Sequence, residues 1–222
     1  MILTEPAGLT EVLRRAESLA AELAVTAVQR DLDAGLPETE IQSLRDAGLL
    51  DLIVPEAQGG QGAEWPLAFQ VTQALSRSEG SLGQLYANHL GLQIAPALSG
   101  TNEQRESFER QTTEHGWFWA NALVTRDRGL FLRPEGEHYR LDGMKRFGTG
   151  VAVADVTLVS AIMEGRPDPV TLVLPAGRAG LSFGADWDNM GQRRTASGSV
   201  HFDGADREVV LRDGRSDARV NA

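Results

Sequence analysis

Cysteine is absent from the 222 residues, which excludes disulfides, thiolate nucleophiles and cysteine-ligated metals together. No run approaches the ~20 apolar residues that a bilayer-crossing helix needs. Positive charge is scarce: 21 Lys and Arg stand against 31 Asp and Glu, a formal net charge of -10. A general nucleic-acid surface, which must neutralise phosphate, is therefore excluded. The four histidines, at positions 89, 115, 138 and 201, lack metal-ligand spacing. Gly59-Gly60-Gln61-Gly62 satisfies neither the P-loop nor the dinucleotide fingerprint, and no serine occupies a Gly-x-Ser-x-Gly elbow. Residues 1–5 carry neither the basic region nor the apolar run of a secretory signal. A cytoplasmic protein, touching neither membrane nor nucleic acid, is the expectation.

What is present reads as a globular chain, 41% hydrophobic and 23% charged, long enough to bury a real core. Its first half has helical periodicity. Val12, Leu13, Ala16, Leu19, Ala20, Leu23, Ala24 and Ala27 form a 3.6-residue stripe, with Arg14, Arg15 and Glu22 off it. Pro37, followed by Glu38 and Glu40, starts a second helix that should stop at Gly48. Further helices are predicted over 66–76 and 82–94, and one from Thr101, whose pairing with Gln104 reads as a capping box, to about Gly116. Beyond Gly116 come short runs rich in β-branched and aromatic residues: 117–124, 130–133, 138–147, 156–163, 170–174, 181–183 and 197–202. Turn residues separate them. The order implies an α+β protein: helices over 1–115, an antiparallel β domain over 116–211, and a polar tail over 212–222.

The β half carries family motifs. Leu141-Asp142-Gly143-Met144-Lys145-Arg146-Phe147-Gly148-Thr149-Gly150, then Ala154-Asp155, resembles the "G-x-K-x-(aromatic)-x-(Ser/Thr)-G … A-D" strand pair of the acyl-CoA dehydrogenase superfamily. Residues 186–200, Asp-Trp-Asp-Asn-Met-Gly-Gln-Arg-Arg-Thr-Ala-Ser-Gly-Ser-Val, ending at Phe202-Asp203, resemble the dibenzothiophene monooxygenase and sulfur-acquisition oxidoreductase branch. Residues 48–60 resemble that family's helical N-terminal domain. The resemblance implies a helical domain, an antiparallel β-barrel or sandwich middle domain, and a C-terminal four-helix bundle absent from this chain. It also implies a flavin, FMN or FAD, held between sheet and bundle.

Flavin chemistry asks a protein for a flat apolar wall, hydrogen-bond partners for the ring, and exclusion of water. By resemblance, Thr149 faces the ring nitrogens, with Phe147, Gly150 and Asn121 beside the ring. His89, in a Tyr-x-x-His-Leu segment with Tyr86, lines the pocket and, with Thr149, positions and protonates a flavin–oxygen adduct. Trp187 walls the substrate pocket. Read without the resemblance, each has a plainer role. Thr149 is a β-branched residue in a turn, Asn121 caps a strand end, Trp187 belongs to a core, and a histidine on an apolar helix face is most often a satisfied core residue. Arg193 and Arg194 are weak candidates for a phosphate.

Three functions stand open at this point. One is a reduced-flavin-dependent monooxygenase acting on a small apolar or sulfur-containing molecule, supplied by a flavin reductase. Another is an acyl-CoA dehydrogenase, whose carboxylate base the family places in the bundle. The third is a split or truncated relative acting as a partner subunit. A homo-oligomer, or a chain supplying the bundle, is the implied assembly.

Overall fold

A computed structural model describes residues 7–135, 138–177, 179–206 and 209–210; the stretch expected to form a tail, 212–222, lies outside them. The helical half contains α1 (Ala7–Ala24), α2 (Ala27–Asp33), α3 (Glu38–Asp46), α4 (Trp65–Ser78), α5 (Gly80–Gln93), α6 (Ala95–Ser99) and α7 (Asn102–His115). The α1 stripe buries Val12, Ala16, Leu19 and Ala20. The chain then breaks at 25–26, and α2 buries nothing, so the periodicity beyond Ala24 belongs to a second, surface helix. Beyond the helix predicted over 82–94, Pro96 opens a further short helix rather than ending helical structure. It sits in the first turn of α6, where its missing N–H goes unused. The Thr101–Gln104 capping box closes the start of α7, and Gly116, with φ 59°, ends it.

The β half comprises β1 (Trp119–Ala122), β2 (Leu130–Glu135), β3 (His138–Lys145), β4 (Val156–Met163), β5 (Val170–Pro175), β6 (Leu181–Phe183), β7 (Val200–Asp206) and β8 (Val209–Val210). Their order is β6-β7-β3-β2-β4-β5-β8, with β1 also paired to β4. The sheet is mixed, correcting the antiparallel expectation: β1 and β2 both run parallel to β4. Parallel neighbours need a crossover rather than a hairpin. β2 reaches its parallel neighbour β4 by way of antiparallel β3 and residues 146–155, with a 3-10 turn at Val151–Val153; this last part of the crossover carries Phe147, Gly148, Thr149 and Gly150.

One apolar cluster joins the two halves. Leu44, Leu49, Leu75, Leu85 and Tyr86 of the helical side pack with Phe118, Ala120, Leu132, Val159 and Leu172 of the sheet side. Gly150, at φ 72°, sits in this seam: a Cβ there would lie 2.9 Å from Leu85 Cδ2 and 3.3 Å from Phe118. The crossover is thus pressed against α5, which fixes where its exposed residues point. Among the described residues no helix is long and apolar enough to cross a membrane, and no cluster of three or more His, Asp or Glu could hold a metal.

Candidate functional site

The crossover begins with a strained residue. Phe147 has φ 58°, a conformation that costs a bulky L-residue about 1–2 kcal/mol. The surrounding bonds impose it: Thr149 N donates to Phe147 O at 2.9 Å, Gly148 N to Gly198 O at 2.8 Å, and Gly150 N to Thr195 O at 3.0 Å. A Cβ on Gly148 would meet Val200 at 2.3 Å, so only glycine lets the corner approach β7. The result is an aromatic ring 57% exposed, edge-on to Trp187 with centroids 6.4 Å apart.

Trp187 stands on the segment 184–199, which is pinned at several points. Asp186 accepts from Ser199 N at 2.8 Å, and this bond holds its carboxyl below the usual carboxylate range. Trp187 Nε1 donates to Gln192 O at 2.8 Å. Arg193 Nε donates to Asp31 O at 3.0 Å. Arg194 enters the helical half, donating to Glu40 at 2.6 Å and Ala34 O at 2.5 Å. Buried in this pair, Arg194 is not a phosphate ligand; the ion pair is a staple between domains.

Between the crossover, the pinned segment and the α2–α3 loop lies a cleft of about 410 Å³. Leu36, Gly148, Ala152, Phe183, Trp187, Arg193 and Ser199 are among its lining residues. The described non-glycine residues with positive φ are Ala34, Phe147, Gln192 and Ala196. Ala34 and Ala196 line the cleft, while Phe147 and Gln192 adjoin its lining residues Gly148 and Arg193. Strain held in this way gathers where a structure is pre-organised for a ligand.

Thr149, next in the chain to the lining residue Gly148, is buried. Its hydroxyl shares a 2.9 Å hydrogen bond with Ser197, which shares one of 2.8 Å with Thr195. Thr195 Oγ1 donates to Gln192 O at 2.9 Å. Asn121 reaches the corner through its backbone, N donating to Thr149 O at 3.3 Å, and its side chain is half-buried.

His89 and Tyr86 are not among the residues lining this cleft. His89 is 0% exposed. Its Nδ1 accepts from Trp119 N at 3.0 Å, so the remaining proton is on Nε2, which donates to Leu50 O at 2.8 Å. With both nitrogens occupied by backbone and desolvation holding its pKa at about 4, it is a neutral cross-link between α5, the 49–54 segment and β1. Tyr86, equally buried, donates to Leu49 O at 2.9 Å. Gly150 is a packing glycine, as its contact with Leu85 shows. Trp187 lines the cleft, and Phe147 and Thr149 flank its lining residue Gly148 in the chain.

Sequence reading passed over Phe183, Gln192, Thr195 and Ser197. A hydroxyl at 195, 197 and 199 is a visible alternation, but it does not tell which members face inward. Lys145 was quoted only as part of a motif. It is buried, donating to Val124 O and Asp127 O at 2.6 Å each, and it ties the β1–β2 loop to the start of the crossover.

The chain belongs to the acyl-CoA dehydrogenase superfamily. Residues 11–114 match the acyl-CoA dehydrogenase N-terminal domain and residues 128–205 the middle domain. It is 35% identical over 189 residues to the Pseudomonas putida protein named "Probable FMNH2-dependent monooxygenase SfnC", a match covering 85% of this chain and 48% of the relative. It resembles the structure of methanesulfinate monooxygenase MsuC from Pseudomonas fluorescens with a TM-score of 0.86 at 34% identity, covering 90% of this chain and 52% of that one. Against FMN-bound TdsC of Paenibacillus sp. A11-2, a dibenzothiophene monooxygenase, the TM-score is 0.82 at 32% identity, covering 88% and 51%. The chain spans about half the length of the relatives it matches.

Proposed function

We propose that this chain provides the sheet-side half of the active site of a reduced-flavin-dependent monooxygenase using FMN, with a small apolar or sulfur-containing substrate. The observation that carries this reading is the strained corner: an exposed Phe147 ring edge-on to Trp187, two residues before the hydroxyl-bearing Thr149. That donor set fits a flavin. It offers an aromatic face, a hydroxyl for the ring edge, and no free carboxylate to repel an electron-rich ring. Two of the relatives named above are FMNH2-dependent or FMN-bound by their own descriptions, which favours FMN over FAD.

Bound reduced flavin supplies the electrons with which dioxygen is split between substrate and water. The chain's own residues have simpler tasks. Phe147 and Trp187 wall the ring and substrate, Thr149 orients the ring edge, and Phe183 with Leu36 keeps water from the cleft. His89 takes no part here, because it is sealed in the core. A dehydrogenase would need a carboxylate base free to take a substrate proton. The family places that base in the bundle, outside this chain, and Asp186, next to the lining residues Ala185 and Trp187, is bound to Ser199 N. Phe147, Phe183 and Met190 remain exposed, so the site needs a second wall, supplied by a helical segment, another copy or a partner chain. A separate flavin reductase would deliver the reduced cofactor.

Titration of the 222-residue chain with FMN tests this. Quenching of flavin fluorescence at micromolar concentrations is expected, and Phe147→Ala should weaken it about fivefold, the loss of one aromatic wall contact worth about 1 kcal/mol. A chain that leaves flavin fluorescence untouched would refute the reading.

A further inference from the structure

The hydroxyls under the corner form a chain whose direction is fixed. A hydroxyl has one hydrogen to donate. Thr195 spends its hydrogen on Gln192 O, a pure acceptor, at 2.9 Å. The 2.8 Å contact between Thr195 and Ser197 must then use the Ser197 hydrogen. The 2.9 Å contact between Ser197 and Thr149 must in turn use that of Thr149. Gln192 O is held in place as the terminus, because Trp187 Nε1 donates to it at 2.8 Å and Thr195 N at 3.2 Å. All three hydroxyl residues are at most 8% exposed, so water cannot easily reverse the order. A ligand that reaches Thr149 Oγ1 therefore meets an acceptor only.

We infer that Thr195 and Ser197 are positioning residues that make this corner select the reduced over the oxidised flavin. The inference rests on the flavin reading above. A flavin ring gains N–H groups on reduction. The central-ring nitrogen that carries hydrogen in the reduced form is a bare acceptor in the oxidised one. An acceptor hydroxyl matches N–H and opposes a bare nitrogen, and a mismatched buried polar pair loses at least about tenfold in affinity. Ser197→Ala severs the chain. Thr149 regains a free hydrogen and can serve either redox form, so the selectivity should collapse. Thr195→Val should act alike, since Ser197 can then turn its hydrogen towards Thr149.

The experiment is anaerobic titration of the 222-residue chain with FMN and with dithionite-reduced FMN, alongside Ser197→Ala, Thr195→Val and a buried hydroxyl outside the chain, Ser160→Ala. The expected result is reduced FMN bound at least about tenfold more tightly by the unaltered protein and by Ser160→Ala. The two forms should be bound within about threefold of each other by the relay variants. By linkage the bound couple's midpoint potential should sit at least about 30 mV above that of free FMN, tenfold for two electrons, and return towards it in Ser197→Ala. Equal binding of both forms by the unaltered protein, or a preference that survives both relay variants, would overturn the inference and leave the flavin reading intact. If neither form binds, the flavin reading itself falls, and this inference with it. Should Ser197→Ala not fold, the unaltered protein's own ratio and Thr195→Val still decide the matter.

Discussion

Replacing Phe147 by glycine should leave a more stable protein than replacing it by alanine, the reverse of the order at most positions. Either change removes the same ring, so lost burial and ring contacts cancel and only backbone terms remain. At φ 58° alanine keeps the left-handed strain, about 1–2 kcal/mol, whereas glycine carries none. Glycine gives back about 0.4–1 kcal/mol through its wider freedom when unfolded. The balance favours glycine by about 0.5–1 kcal/mol, while on ordinary backbone glycine loses by roughly that amount. Urea unfolding at neutral pH reads this as a higher midpoint for the glycine variant, by a few tenths molar for a slope of ~1–3 kcal/mol per molar. A lower midpoint for glycine would refute the strain argument. FMN affinity then separates stability from function: it should fall equally in both variants, because the wall is the ring and not the turn.

Two further outcomes follow from groups buried between the domains. His89 is held neutral in the fold at a pKa of about 4 against an ordinary 6.5. The unfolded chain therefore takes up that proton first, and stability should fall as pH drops through the window from about 6.5 to about 4, by about 3 kcal/mol in all. His89→Gln should lower stability at neutral pH but lose this part of the slope; identical slopes in urea-midpoint profiles would show the assignment wrong. Arg194→Met leaves Glu40, 1% exposed, with Arg30 at 2.6 Å in place of two guanidinium partners, at a cost of about 3 kcal/mol. Adding Glu40→Met should restore part of that loss, and strictly additive costs in a double-mutant cycle would count against the staple.

Much of the fold is legible in the sequence because its signals are local. The capping box at Thr101 and Gln104 needs only three residues of spacing, and β4 stands out as a β-branched run between turn residues. Strand direction is different. Nothing within β1 or β2 reveals that both lie parallel to β4, since that depends on how the 146–155 crossover returns. The same limit governs the site. Periodicity puts His89 on the apolar face of α5, but whether that face meets a cavity or the carbonyl of Leu50 is decided by segments far along the chain. Phe147 and Thr149 stand out because a contiguous motif carries both. Ser197 does not, since its meaning comes from a hydrogen that only a contact count can assign.

The apolar cluster shared by helices and sheet has a practical bearing on how this protein can be divided. Residues 11–114 and 128–205 match separate family domains, which invites expressing each alone. Yet Leu85 and Tyr86 on one side and Phe118 and Ala120 on the other are mutually covered. Cutting the chain near residue 116 would wet both surfaces at once and release the Glu40–Arg194 tie that spans the cut. The two pieces are better regarded as complementary fragments, recovered by mixing, than as independent modules.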